Sequence, residues 1–141
     1  MAFYIKVISG KITNGLFTGN GEIYDNANKY VRKGNFIKSK LNDVNGIVID
    51  YDHEDYKLFQ MSGNFVNDTA NGTIRRIEYN GNNSLDDILA NNLTVIANAR
   101  EGSYVNGILT SVGSDQVIEI NVTFAKHPTR GYFTNLVINE V

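Results

Sequence analysis

The chain has 141 residues, 42% of them hydrophobic and 11% aromatic, with a formal net charge of −2 and no cysteine. That length and apolar content suit one folded domain, residues 1–141, that needs neither metal nor disulfide to hold its core. The missing cysteines exclude disulfide frameworks, thiolate zinc sites and cysteine nucleophiles, and the near-balanced charge does not point to nucleic acid or to a strongly basic membrane binder.

The N-terminal segment Met1-Ala2-Phe3-Tyr4-Ile5-Lys6 carries no basic leader ahead of a long apolar stretch and reads as a first strand, which gives the expectation of a cytoplasmic location. No apolar run approaches the roughly 18 residues of a membrane helix, so membrane insertion is not expected. Asn is frequent and Pro occurs once, at Pro128, a balance that favours tight turns between continuously hydrogen-bonded strands. Sequons such as Asn67-Asp68-Thr69 arise by chance in so Asn-rich a chain.

A pentad recurs along the sequence: glycine, any residue, a bulky apolar residue, any residue, then usually Asn. It appears at Gly10–Asn14, Gly34–Lys38 and Gly63–Asn67, and more weakly at Gly102–Asn106 and Gly131–Asn135. A second glycine follows each of the first four, at Gly21, Gly46, Gly72 and Gly113, and each leads into a strand-like apolar segment. The pattern reads as strand, turn and returning strand, with Asn14-Gly15, Asn71-Gly72 and Asn106-Gly107 as hairpin signals. Alternation supports it. Ile118, Ile120, Val122 and Phe124 share one face of a strand, and Leu58 and Phe59 point to opposite faces of another. The fold class expected is mainly β, an antiparallel sheet of stacked hairpins, with residues 92–141 as further hairpins. One short helix is predicted at 84–91, capped by Ser84, with Asp86 and Asp87 in its first turn and Leu85, Ile88 and Leu89 as its apolar face.

The run Gly10-Lys11-Ile12-Thr13-Asn14-Gly15-Leu16-Phe17-Thr18-Gly19-Asn20-Gly21-Glu22-Ile23-Tyr24 resembles a MORN repeat, whose unit is Gly-x-aromatic, Asn-Gly, Gly-x-Gly and an aromatic strand. Segments 34–51 and 63–79 resemble degenerate copies that keep Gly-x-Phe and lose Gly-x-Gly, while Arg32 and Met61 stand where the family usually has Tyr. The resemblance covers about residues 10–79. It implies hairpins stacked into an elongated twisted sheet, and mostly non-catalytic roles in binding other proteins, with lipid binding proposed for some members.

Several groups are candidate sites. The cluster Asp50-Tyr51-Asp52-His53-Glu54-Asp55 is dense in ionisable side chains; it reads either as a cation or acid–base site or as a solvated hairpin tip between strands 46–51 and 56–61. Lys29, Arg32, Lys33, Lys38 and Lys40, interleaved with Tyr30 and Phe36, form a basic stretch suited to a phosphate-bearing ligand or an acidic protein face, or simply to solvent. Arg75 and Arg76 alternate across a strand, so one of them can clamp an anion while the other pairs with Glu78 or a neighbouring strand. His127 sits in a loop before Pro128, where Asp115 or Glu119 would be its partner as a base. Tyr24, Tyr30, Tyr51, Tyr56, Phe59 and Tyr79 recur near hairpin ends, as packing between repeats or as exposed anchors for a partner. No motif calls for a cofactor, a metal or a nucleophile.

Three functional readings follow. The first is a non-catalytic module that binds another protein through a sheet surface, with homo-oligomerisation through sheet edges or faces. The second is a protein that sequesters a nucleotide or another phosphate-bearing small molecule, for which a phage-encoded inhibitor of bacterial defence is a compatible origin. The third is a hydrolase using the 50–55 carboxylates.

Overall fold

The computed structural model describes residues 3–52 and 57–141. Among these residues the chain forms one antiparallel sheet and a single short helix. In chain order the strands are β1 (Phe3–Thr13), β2 (Leu16–Asp25), β3 (Tyr30–Ile37), β4 (Lys40–Leu41), β5 (Asp43–Asp52), β6 (Lys57–Val66) and β7 (Thr69–Asn80). Helix α1 (Leu85–Ala90) then precedes β8 (Val95–Val105), β9 (Ile108–Val112), β10 (Gln116–Lys126) and β11 (Phe133–Glu140). Strand order follows the sequence, β1-β2-β3-β5-β6-β7-β8-β10-β11, with β4 beside β3 and β9 beside β8.

Four two-residue turns build the hairpins: Asn14-Gly15, Lys38-Ser39, Asn67-Asp68 and Asn106-Gly107. Every one of these eight residues has positive φ, from 48° to 82°. Positive φ at both central positions is the type I′ geometry, whose twist matches that of the flanking strands. The turns close the pairs Thr13↔Leu16, Ile37↔Lys40, Val66↔Thr69 and Val105↔Ile108. The first four glycine pentads therefore occupy equivalent places, each running along a strand into its turn.

Two sequence expectations are corrected here. Asn71-Gly72 is not a turn, because Asn67-Asp68 has already reversed the chain. Residues 71–73 instead bulge opposite Asn64, whose side-chain amide donates to the Asn71 carbonyl at 2.9 Å. The fifth pentad is not equivalent to the others: Gly131 precedes β11 and Asn135 lies within it, paired with Ala125.

Successive hairpin tips are joined by one repeated bond. The second turn residue of each hairpin donates its N–H to a carbonyl two residues past the turn of the hairpin before it. The three examples are Ser39 to Phe17 at 2.7 Å, Asp68 to Leu41 at 2.9 Å and Gly107 to Ala70 at 2.8 Å. The strand registers repeat as well: Gly19 faces Phe36, Asp43 faces Phe65 and Gly72 faces Tyr104. Each pair sets the fourth residue after one turn against the third before the last residue of the next. The pentad rings thus fill the joints between hairpins, and Phe36, Phe65 and Tyr104 are buried with Phe17, Leu41 and Ile74 in one apolar cluster.

A second cluster occupies the other face. Tyr24, Val31, Ile49, Leu58, Ile77 and Ala99 are buried there against β10, β11 and the helix. Alternation sends Ile23 to the first cluster and its neighbour Tyr24 to the second, as a two-faced strand requires. The sheet curls so that its last hairpin returns to its first strands. The Tyr24 hydroxyl accepts from the Leu136 N–H at 3.1 Å, and the Asn26 carboxamide oxygen accepts from Phe133 N–H at 2.9 Å. This return departs from the extended ribbon that the family resemblance implies.

Helix α1 forms as expected. Ser84 Oγ accepts from Asp87 N–H at 3.1 Å, Asp86 and Asp87 lie in the first turn, and Asn91 is the C-cap. Leu85 and Ile88 are buried against the second cluster, but Leu89 is 41% exposed, because a helix this short turns only one narrow stripe toward the sheet.

Candidate functional site

Alternation along β3 divides the basic stretch between two faces. Tyr30 and Arg32 point with Phe36 toward the outer face, while Val31 and Lys33 point into the curled interior. On the outer face Tyr30, Arg32, Lys38 and Lys40 converge on one pocket of about 480 Å³, which Phe3, Ile5, Leu16 and Ile23 wall on the apolar side. The apolar wall comes from the first hairpin and the charged rim from the second.

Arg32 sets the electrostatics of this pocket. Only 9% exposed, it lies between two rings, with its guanidinium carbon 5.8 Å from the centre of Tyr30 and 5.5 Å from that of Phe36. Its Nη1 donates to Asp68 Oδ1 at 2.7 Å and to the Ser39 carbonyl at 2.8 Å. Asp68 Oδ1 also accepts the Leu41 N–H at 2.8 Å, and Lys40 Nζ stands 3.7 Å from Oδ2. Two cations thus share one carboxylate, with Lys38 on the same rim. Arg32 is held by rings and acid together, whereas Lys40, 62% exposed, and Lys38 leave their charge facing solvent.

The other candidates fall elsewhere. Lys33 Nζ donates to the Leu136 carbonyl across the interior, and burial pulls its pKa below the usual lysine value. Lys29 and Tyr51 border a separate hollow beside Arg130 and Phe133. The Tyr51 hydroxyl donates to Asn26 at 2.7 Å, its ring stands edge-on to Phe133 at 4.9 Å, and burial raises its pKa. Tyr24 is raised further, by burial and by its bond to the Glu22 carboxylate. Arg75 is committed to Glu140 at 2.6 Å, with Arg76 on Glu78 at 3.1 Å and stacked on Phe59 at 5.3 Å. Arg100 lies between Glu78 and Asp115. His127 Nδ1 accepts from the N–H groups of Thr129 and Arg130, which fixes its loop.

Tyr56 and the His53–Asp55 part of the acidic cluster lie outside the described residues. Among the described residues, no group of three His, Asp or Glu side chains is placed to hold a metal ion, and no helix is long and apolar enough to cross a membrane.

Sequence reasoning missed the apolar wall and Asp68. The wall was legible in part, since Ile5 and Ile23 face each other across β1 and β2 once the Asn14-Gly15 turn fixes their register. Asp68 carried no such signal. Its role appears only when the Asn67-Asp68 turn seats its carboxylate on the preceding hairpin.

Compared with known proteins, the chain matches no family model, no curated sequence and no solved structure.

Proposed function

We propose that this chain is a non-catalytic binding module that engages another protein through the outer pocket between its first two hairpins. The observation that carries the reading is the meeting of an apolar wall, Phe3, Ile5, Leu16 and Ile23, with the solvent-facing cations Lys38 and Lys40. An apolar pocket with charges at its rim suits a segment that inserts a hydrophobic side chain and lays carboxylates over the lysines, with the rim steering encounter. Backbone strain points the same way. Lys38 sits at φ 48°, where Asn or Gly would be the comfortable choice for a type I′ turn. A cation held at such a position against local preference is a mark of a functional surface. The MORN resemblance of residues 10–24 agrees with a protein-binding role.

The test is a titration of the labelled protein with a short peptide combining Leu or Phe with Asp and Glu. Amide shifts should cluster at Leu16, Ile23 and Lys40, and the Lys38→Glu/Lys40→Glu double variant should weaken binding at least about tenfold at low salt. Unchanged affinity in that variant removes the pocket from consideration.

A second reading rests on the same three cations gathered at one pocket: the chain sequesters a phosphate-bearing small molecule. Arg and Lys are the usual phosphate donors. Titration with a nucleoside triphosphate in place of the peptide separates the two, since only this reading expects saturable shifts at Arg32, Lys38 and Lys40 with no peptide present.

A further inference from the structure

Among the described residues, no element caps either end of the hairpin stack. Inside the stack, the ring position of each pentad is covered by the preceding hairpin: Phe36 is 0%, Phe65 3% and Tyr104 9% exposed. The equivalent residue of the first hairpin, Ile12, is covered by no other hairpin among the described residues and is 49% exposed. The residues that follow each turn by two behave in the mirror sense. Phe17, Leu41 and Ala70 are 0%, 0% and 5% exposed beneath the next hairpin, while the last one, Leu109, is 39% exposed. Among the described residues, Gly15 does not donate the tip bond that Ser39, Asp68 and Gly107 donate, nor does Leu109 accept the one that Phe17, Leu41 and Ala70 accept.

These two ends complement each other. Among the described residues, strand β1 pairs only with β2, and β9 only with β8. β1 runs parallel to β3, β6 and β8, so the β1 of another molecule laid beside β9 would be antiparallel to it, as every hairpin joint in the stack is. The register rule of the three joints would set Ser111 opposite Ile12, in the manner of Gly19 and Phe36, and Gly113 opposite Gly10, in the manner of Gly21 and Gly34. Charge agrees. β1 carries Lys6 and Lys11 and no acid, whereas residues 108–119 carry Asp115 and Glu119 and no base. Neither edge carries proline. Ile8 and Ile12 on one side and Ile108, Leu109 and Val112 on the other are exposed, which is the profile of an edge open to strand addition.

We propose that a second copy of this chain continues the stack, with its β1 pairing on β9 head to tail, Gly15 N–H donating to the Leu109 carbonyl and Ile12 covered in the joint. Such a joint is heterologous, so each assembly keeps one free end of each kind and growth is open unless the ring closes. The surface is the outer edge of β1, which borders the pocket at Gly15, and the proposal does not depend on the reading of that pocket.

Paired edge-blocking variants test it. In a two-residue hairpin the residues flanking the turn bond each other, so Ile12 and Leu109, one step further out, direct their N–H away from their own partner strands. Proline at either position blocks an edge without removing a bond within the chain. By light scattering after size exclusion, the wild type should gain mass as its concentration rises. Ile12→Pro and Leu109→Pro should each remain at single-chain mass with unchanged circular dichroism. Mixed in equal amounts they should form a complex of twice that mass and no larger, because Leu109→Pro still offers a sound β1 and Ile12→Pro a sound β9. If proline unfolds either variant, lysine at the same position replaces it. The proposal is overturned by a wild type that stays monomeric at every concentration, by either single variant still associating with itself, or by a mixture that gives no dimer. Lys38→Glu/Lys40→Glu should associate as the wild type does, which separates this result from the fate of the pocket.

Discussion

Asp68 joins two hairpins with one residue. Its N–H donates to the Leu41 carbonyl, its carboxylate takes back the Leu41 N–H, and the same oxygen holds the buried Arg32 guanidinium. Removing the carboxylate would leave a cation enclosed by two rings without its counter-charge. Asp68→Ala is therefore expected to destabilise by about 2–3 kcal/mol in urea unfolding, and Asp68→Asn, which keeps an oxygen for Leu41, by about 1 kcal/mol. Equal losses would mean that the charge contributes nothing. At this scale the sequence was half legible. The basic residues at 29–40 stood out by composition, but their sorting depended on parity: Arg32 and Lys33 are neighbours in sequence and lie on opposite faces of the sheet. Arg75 looked available only because its partner, Glu140, is 65 residues away.

Among the elements, the four turns show what local chemistry can and cannot announce. Asn14-Gly15 and Asn106-Gly107 are readable because their residues reach positive φ at little cost. Lys38-Ser39 and Asn67-Asp68 adopt the same geometry with less suitable residues, held by the tip bonds and by Ser39 Oγ, which accepts from Phe17 N–H at 2.9 Å. The strain should be recoverable. Lys38→Asn is expected to stabilise the fold by about 0.5–1 kcal/mol, read as a raised urea midpoint at unchanged slope, while weakening binding at the pocket rim. Gly63 tests the packing of β6 on β7 within the third hairpin. At φ 147°, a Cβ there would stand 2.6 Å from the Thr73 carbonyl oxygen, so Gly63→Ala should cost at least about 1 kcal/mol by the same measurement. Asn71-Gly72 misled because the dipeptide signal is local, whereas the choice between two nearby turns is made by which register buries Phe65.

Over the whole molecule, the curling of the sheet puts titratable groups where their protons report folding. Lys33 is held below its usual pKa of 10.5 by burial, so the unfolded chain binds more protons in the window under 10.5, and stability should climb with pH there. Tyr24 and Tyr51 are raised above the ordinary 10.0, so the folded chain keeps protons that the unfolded chain releases, and stability should fall as pH rises past 10. Urea midpoints across the alkaline range should pass through a maximum. Lys33→Met should flatten the rising limb and Tyr24→Phe should soften the falling one; a profile identical in Lys33→Met would mean that the lysine is fully hydrated. The return of β10 and β11 that creates these environments had no sequence signal, since it rests on contacts such as Tyr24 with Leu136, 112 positions apart. The strands themselves were legible from alternation, but their curvature was not.

The tip bonds and the fold-back place different demands on the length of the chain. A bond that repeats identically from hairpin to hairpin is indifferent to how many hairpins there are, so duplication of one whole unit would leave every joint intact. The Tyr24–Leu136 and Asn26–Phe133 links are not indifferent, because one more unit would widen the span they must bridge. The closing hairpin therefore acts as a gauge. It fits four hairpins, and a lineage gaining or losing one would have to rebuild the clasp along with the count.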